Sequence, residues 1–182
     1  MHTSLILAKR VVRYLSGTAS KSIIFASGSI NSQPLTAYAD ADWAGCHETR
    51  RSTTGIVIKV NIAPIYWTSK RQSIITLSSA EAEYIALSTC AKQITWMRRL
   101  FYELANHTPC KTDSFLPPTI LNTDSTSAIS LATNTQVSER NNHIEIKAHH
   151  IKQLINRGII EQKYVNKLDQ IADILTKSVF GI

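Results

Sequence analysis

Long apolar runs, paired cysteines and acidic side chains are all scarce in this chain, and each scarcity closes off a class of function. No stretch of the 182 residues approaches the roughly 18 to 20 consecutive apolar positions that a membrane span requires. The short run from Leu5 to Ala8 is stopped by Lys9 and Arg10 and lacks the cleavage pattern of a secretory signal, so an intracellular, cytoplasmic location is expected. Cys46, Cys90 and Cys110 are far apart, odd in number and without a C-x-x-C pair. Neither a zinc site nor a disulfide framework is therefore expected, and the thiols read as free. No internal repeat or low-complexity tract stands out.

Acids are the scarcer charge, 13 Asp and Glu against 20 Lys and Arg, for a net charge of +7. A basic balance points towards a polyanionic partner. If several of the few acids were gathered in one metal site, the remaining surface would be more positive still and suited to a phosphate backbone. With 43% hydrophobic and 18% charged residues, the composition is that of a globular protein long enough to bury one core.

The spacing of apolar residues predicts a helix over 3–17, ended by Gly17, then a short strand over 22–26 and a Gly/Ser/Asn-rich turn region at 27–33. A domain boundary is placed there, separating residues 1–33 from 34–182. Three runs rich in β-branched and aromatic residues, 35–43, 55–61 and 65–69, read as consecutive antiparallel strands. Ser78 and Glu81 form a capping box that opens a long helix over 79–104. After Pro117-Pro118 come a strand over 119–124, a short helix over 125–133, a helix over 144–156 ended by Gly158, a strand over 159–165 and a last helix over 170–177. The order from Leu35 suits an α/β fold, a mixed five-stranded sheet flanked by helices.

Within this frame a few carboxylates stand out. On the long helix, Leu87, Cys90, Ile94, Met97 and Phe101 all fall within about 40° of Glu83 at 100° per residue. Glu83 thus sits in the middle of an apolar stripe, where a lone charge carries a penalty of several kcal/mol unless it is paired, metal-bound or reaches solvent from the first turn. Asp40 and Asp42 share one face of their strand with Thr36 and Tyr38; two such residues mark either a strand end in water or a metal site. Asp124 closes an apolar strand before a helix, a place for ligands in α/β sheets and equally for an N-cap. As a helical residue, Asp173 would lie opposite Ile171 and Leu175 like an ordinary surface charge.

Local strings narrow the choice. Tyr38-Ala39-Asp40-Ala41-Asp42-Trp43-Ala44-Gly45 resembles the first strand of the ribonuclease H domain of copia-type LTR retrotransposon Pol polyproteins. Tyr66-Trp67-Thr68-Ser69-Lys70-Arg71-Gln72, running into Leu77-Ser78-Ser79-Ala80-Glu81-Ala82-Glu83-Tyr84, is similar to that family's third strand and first helix. Asn122-Thr123-Asp124-Ser125, His143-Ile144-Glu145-Ile146 with His149, and Gln170-Ile171-Ala172-Asp173-Ile174-Leu175-Thr176-Lys177 resemble its later motifs. The segment Ala8-Lys9-Arg10-Val11-Val12-Arg13-Tyr14-Leu15-Ser16-Gly17-Thr18 resembles the stretch that joins reverse transcriptase to this domain, which implies a piece of a polyprotein.

The resemblance implies a ribonuclease H-like fold and hydrolysis of the RNA strand of RNA–DNA hybrids. It assigns Asp40, Glu83, Asp124 and Asp173 as catalytic, metal-holding carboxylates, preferring Asp40 to Asp42 and Glu83 to Glu81. Two Mg²⁺ ions, replaceable by Mn²⁺, would be bridged by Asp40, with Glu83 and Asp124 completing one site and Asp173 the other. Arg50, Arg51, Lys70 and Arg71 are the expected phosphate contacts, from loops beside the site. The implied partners are an RNA–DNA hybrid and the reverse transcriptase of the same polyprotein, in retrotransposon particles, with no membrane.

Cellular ribonucleases H carry a histidine on a loop before the last aspartate. Here the short stretch from Val165 to Gln170 has none, leaving His143, His149 and His150 as substitutes or as structural residues. The rival reading is a catalytically silent ribonuclease H-like module of a decayed polyprotein; a three-acid integrase fits the ending less well.

Overall fold

The computed structural model describes residues 2–25, 35–106, 116–133 and 142–177. Five strands form one sheet: β1 (Leu35–Asp42), β2 (Thr53–Val60), β3 (Ala63–Arg71), β4 (Thr119–Thr123) and β5 (Ile160–Tyr164), in the order β3-β2-β1-β4-β5. The first three are antiparallel, whereas β4 runs parallel to β1 and β5 parallel to β4. Residues 43–52 link β1 to β2, and a tight turn links β2 to β3. Val60 pairs with Ala63 across the two-residue turn Asn61-Ile62, and Asn61 takes the positive φ of 53° that so tight a hairpin demands. Parallel neighbours need crossovers. These are supplied by α2 (Ser79–Asn106) before β4, and by α3 (Thr126–Thr133) and α4 (Asn142–Asn156) before β5.

The core lies between the sheet and α2. Ala37 and Ala39 present small side chains, and with Ile56, Ile58 and Leu121 they meet Leu87, Cys90, Ile94 and Met97, all buried as the helical stripe requires. Ile151 and Leu154 of α4 join the same core. Arg98, on the buried side of α2, donates to the carbonyls of Leu116 and Pro117, each at 2.6 Å, and to Thr119 Oγ1 at 3.2 Å. It ties the helix to the entrance of β4. At the N-terminus of α2, Ser78 Oγ accepts from the Glu81 N–H at 3.2 Å, while Glu81 accepts from the Leu77 N–H at 2.7 Å, one residue beyond the usual capping box.

Two expected elements are different. Residues 22–25 form no strand, because no sheet edge pairs with them; Ile23 instead lines an apolar groove of about 430 Å³ with Val57, Trp67 and Ile174. Ala26 lies outside the described residues, as do the expected boundary at 33 and Cys110. The expected last helix over 170–177 is replaced by one 3₁₀ turn, Asp173–Leu175, with another, Lys167–Asp169, just before it. Gln170 diverts the backbone: its side chain donates to the Ala39 carbonyl at 3.0 Å and accepts from the Ala172 N–H at 3.4 Å. Local side-chain bonds of this kind compete with helical ones, and eight residues are too few to resist.

Ahead of the sheet, α1 (His2–Gly17) leaves Leu5, Ile6, Leu7, Val11, Val12 and Leu15 exposed. Among the described residues, no helix is long and apolar enough to cross a membrane.

Candidate metal centre at one end of the sheet

Parallel pairing brings distant carboxylates together. β1 and β4 align Tyr38 with Asn122, and carrying that register two residues further sets Asp40 beside Asp124. Asn122 reinforces the alignment by donating from Nδ2 to the Ala37 carbonyl at 3.0 Å. From above, the first turns of α2 lower Glu83 onto the end of β1, where it accepts from the backbone of Ala41. The result is a cluster in which one ligand oxygen from each of Asp40, Glu83 and Asp124 lies within 4.8 Å of the others.

The neighbouring acids have other work. Asp42 folds over the following turn, so closely that a Cβ at Gly45 would collide with its carboxylate. Glu81 is spent on the Leu77 N–H. Capping of α3 falls to Ser125, whose Oγ accepts from the Ala128 N–H at 3.2 Å, which leaves the Asp124 carboxylate free for the cluster.

Electrostatics mark the cluster as incomplete. Burial, then the charges of Asp40 and Asp124, push the Glu83 carboxyl from 4.5 up to about 8. Asp40 is also raised, by burial first and by Asp124 and Asp173 beyond it, against the lowering effect of a hydrogen bond from Thr176. Glu83 Oε2 is buried without a hydrogen-bond partner. Three converging carboxylates, one with an orphaned oxygen, form a hard-oxygen donor set without sulfur or imidazole, which fits a small divalent cation such as magnesium.

Asp173 stands beside this trio. It is half-buried at the start of the second 3₁₀ turn, near enough to raise Asp40, and it pairs with Lys177 four residues on. The turn replaces the expected helix, so the opposition of Asp173 to Ile171 and Leu175 does not hold. Thr176, which sequence reasoning passed over, donates its one hydroxyl hydrogen towards Asp40 Oδ2, with the Asp173 carbonyl oxygen 3.0 Å from the same hydroxyl. Lys177 was likewise unassigned; its ammonium is held above its usual range chiefly by Asp173. Both follow Asp173 within one turn, and that spacing was the available signal.

Of the basic residues, Arg50 and Arg51 are exposed in the β1–β2 connection. Lys70 and Arg71 are also exposed but close β3 rather than lying in a loop. The register rows Asp42–Thr53–Arg71 and Ala41–Thr54–Lys70 set them at the same end of the sheet as the carboxylates, two strands or about 10 Å from β1. The connection bearing the arginines is braced by Ser52, whose Oγ accepts from the Ala44 N–H at 3.1 Å and bonds Thr76 Oγ1 at 2.9 Å. His149 is exposed beside Lys152 and Arg157, His150 is partly buried with Nε2 unpartnered, and the side chain of His143 lies outside the described residues.

No protein-family model matches the chain. It is 34% identical over 169 residues, 93% of its length, to the retrovirus-related Pol polyprotein from transposon RE1 of Arabidopsis thaliana. It is 33% identical over 172 residues to the corresponding polyprotein from transposon TNT 1-94 of Nicotiana tabacum. These matches span only 11% and 12% of the two polyproteins. Among solved structures, LC11-RNase H1 in complex with an RNA/DNA hybrid superposes with a TM-score of 0.52 at 12% identity, over 78% of this chain and 92% of that one. The foamy viral protease-reverse transcriptase in complex with RNA/DNA hybrid gives 0.51 at 16% identity, over 85% of this chain and 20% of that one. RNase H1 of Halobacterium salinarum gives 0.52 at 15% identity, over 78% and 92%. The chain thus has the ribonuclease H-like fold, with a five-stranded mixed sheet, and its homologues are copia-type Pol polyproteins, of which it matches a short segment.

Proposed function

We propose that this chain is a metal-dependent endoribonuclease that hydrolyses the RNA strand of RNA–DNA hybrids during reverse transcription of a retrotransposon. The observation that carries the reading is the convergence of Asp40, Glu83 and Asp124 around a buried, unpartnered carboxylate oxygen, with Asp173 alongside. Asp40, Glu83 and Asp124 would hold one magnesium ion, and Asp40 with Asp173 a second; Mn²⁺ has the same preference for oxygen and could substitute. When bound, such a pair supplies an activated water and a stabilised leaving oxygen for phosphodiester hydrolysis.

The protein's own share is positional. Asp40 is held between two strands and under the C-terminal turn, so it faces both proposed sites. Glu83 must lose its proton before it can serve as a ligand, so metal uptake rises as pH approaches about 8. Arg50, Arg51, Lys70 and Arg71 provide a positive margin for the phosphate backbone at the same end of the sheet. Selectivity for a hybrid would come from sensing 2′-hydroxyls across a shallow minor groove, not from reading base edges.

The reverse transcriptase of the same polyprotein is the proposed protein partner, in cytoplasmic retrotransposon particles, with residues 1–33 as the tail of its connection segment. The exposed apolar residues of α1 support this, since a helix with Leu5, Val12 and Leu15 in water lacks the partner its pattern implies. Placing Asp at Leu5 and Val12 should weaken association with a separately supplied polymerase domain; undiminished association would remove α1 from that interface.

The test of the activity is incubation of labelled RNA–DNA hybrid, single-stranded RNA and duplex DNA with Mg²⁺ or Mn²⁺. Loss of the RNA strand from the hybrid alone is expected. Tight, salt-sensitive hybrid binding without cleavage under any of these conditions would instead favour a silent binding module.

A further inference from the structure

The fourth carboxylate reaches the site by a different route from the other three, and that route passes through two residues with no assigned role. Asp40 is paired in register with Gly55 on β2. A Cβ at Gly55 would lie 2.7 Å from the Ala172 carbonyl oxygen, 2.7 Å from Thr176 Cγ2 and 3.1 Å from Leu175 Cβ. The bare backbone of Gly55 is therefore what lets the turn carrying Asp173 lie flat on β1 and β2. Thr176, only 7% exposed, rests its methyl group on that glycine and directs its hydroxyl to Asp40 Oδ2, with the Asp173 carbonyl within 3.0 Å. One side chain thus touches the central carboxylate, the backbone of the peripheral one and the floor beneath both.

We propose that Thr176 is a positioning residue, whose hydroxyl fixes the orientation of the Asp40 carboxylate and the distance of Asp173 from it, so that the second cation site exists only while the Gly55–Thr176 contact holds. The inference rests on the metal-site reading above. A carboxylate offers about four lone-pair sites. A hydroxyl that takes one of them sets the rotation of the carboxylate plane and leaves the rest directed at cations. The bond is charge-assisted and sheltered from water, so it constrains more than a surface contact would. The β-branch matters as well: two heavy atoms on Cβ restrict χ1, so the methyl seat on Gly55 and the direction of the hydroxyl are set together. Serine keeps the hydroxyl and loses the seat, and valine keeps the seat and loses the hydroxyl.

Titration of the 182-residue chain with Mn²⁺ alone, by calorimetry, separates these contributions. Thr176→Val should weaken Mn²⁺ binding by about 10- to 100-fold, the usual effect of removing an outer partner of a ligand, and Thr176→Ser should recover most of it. Gly55→Ala, which retains every carboxylate and the hydroxyl, should bind one ion where the parent binds two. Parental binding by Thr176→Val would overturn this inference alone, as would a Thr176→Ser variant no better than valine or a Gly55→Ala variant that keeps both ions. An Asp40→Asn control makes the two readings distinguishable. A parent chain that takes up no Mn²⁺, or an Asp40→Asn chain that binds as the parent does, would overturn the metal-site reading and this inference with it.

Discussion

Two halves of the same carboxylate group are built by different physics. Asp40, Glu83 and Asp124 stand on β1, at the start of α2 and at the end of β4, elements clamped by a continuous apolar core. Asp173 stands on a 3₁₀ turn without core residues of its own type of packing, held by Gln170 to the Ala39 carbonyl, by Thr176 to Asp40 and by the absence of a side chain at Gly55. Burial fixes the trio; hydrogen bonds and one close approach fix the fourth. The contrast teaches that one half of such a site can be disturbed while the other persists.

Ligand removal should break the comparison most visibly. Glu83→Gln is expected to lower divalent-metal affinity by more than the roughly 10- to 100-fold that loss of an outer partner costs, and Asp173→Asn to leave one ion bound where the parent binds two, both read by calorimetry. Equal losses from the two would show that the halves are not separate.

The next effect concerns stability. Glu83 is raised from 4.5 to about 8 in the folded state, so between those values the unfolded chain ionises while the folded one keeps its proton. The unfolded state then binds fewer protons, and stability falls as pH rises. Metal-free protein should therefore lose on the order of a few kcal/mol of stability between about pH 5 and pH 8, recovered by Mg²⁺ at the upper end. Thermal melting checks this, and Glu83→Gln should flatten the profile. A metal-free protein that gains stability over the same range would contradict the assignment.

Much of this was legible in the chain. The alternation Ala37, Ala39 against Tyr38, Asp40, and the stripe through Leu87, Cys90, Ile94 and Met97, located the sheet face and the helix that cover one another. Glu83 in that stripe was conspicuous because apolar periodicity makes an intruding charge visible. Asp173 was not, because its placement depends on Gln170 bonding to a residue 131 positions away, a contact no local period encodes. The strand expected over 22–26 failed for a related reason: β-branched residues favour a strand only where an edge is available to pair. Gly55 carried no signal until Ala172 and Thr176 were seen against it, and Thr176 only its spacing from Asp173.

Smaller effects sharpen the same contrast. Ser125→Ala should cost about 1 kcal/mol of stability, as the loss of an N-cap does, and leave metal affinity unchanged. Asp124→Asn should do the reverse. An exchange of those two outcomes would return Asp124 to a capping role. Smallest of all, neutralising Arg50, Arg51, Lys70 or Arg71 one at a time should weaken hybrid binding irrespective of sequence, lowering the slope of log K against log salt by about one for each true phosphate contact.

Asp40 is the residue that both halves share. The decisive measurement sets the parent chain and Asp40→Asn side by side on labelled RNA–DNA hybrid with Mg²⁺, following strand cleavage and hybrid binding in the same samples. The parent is expected to cut the RNA strand, and the variant to bind the hybrid without cutting it. Continued cleavage by Asp40→Asn, or an intact hybrid with the parent in both Mg²⁺ and Mn²⁺, would contradict the proposed function.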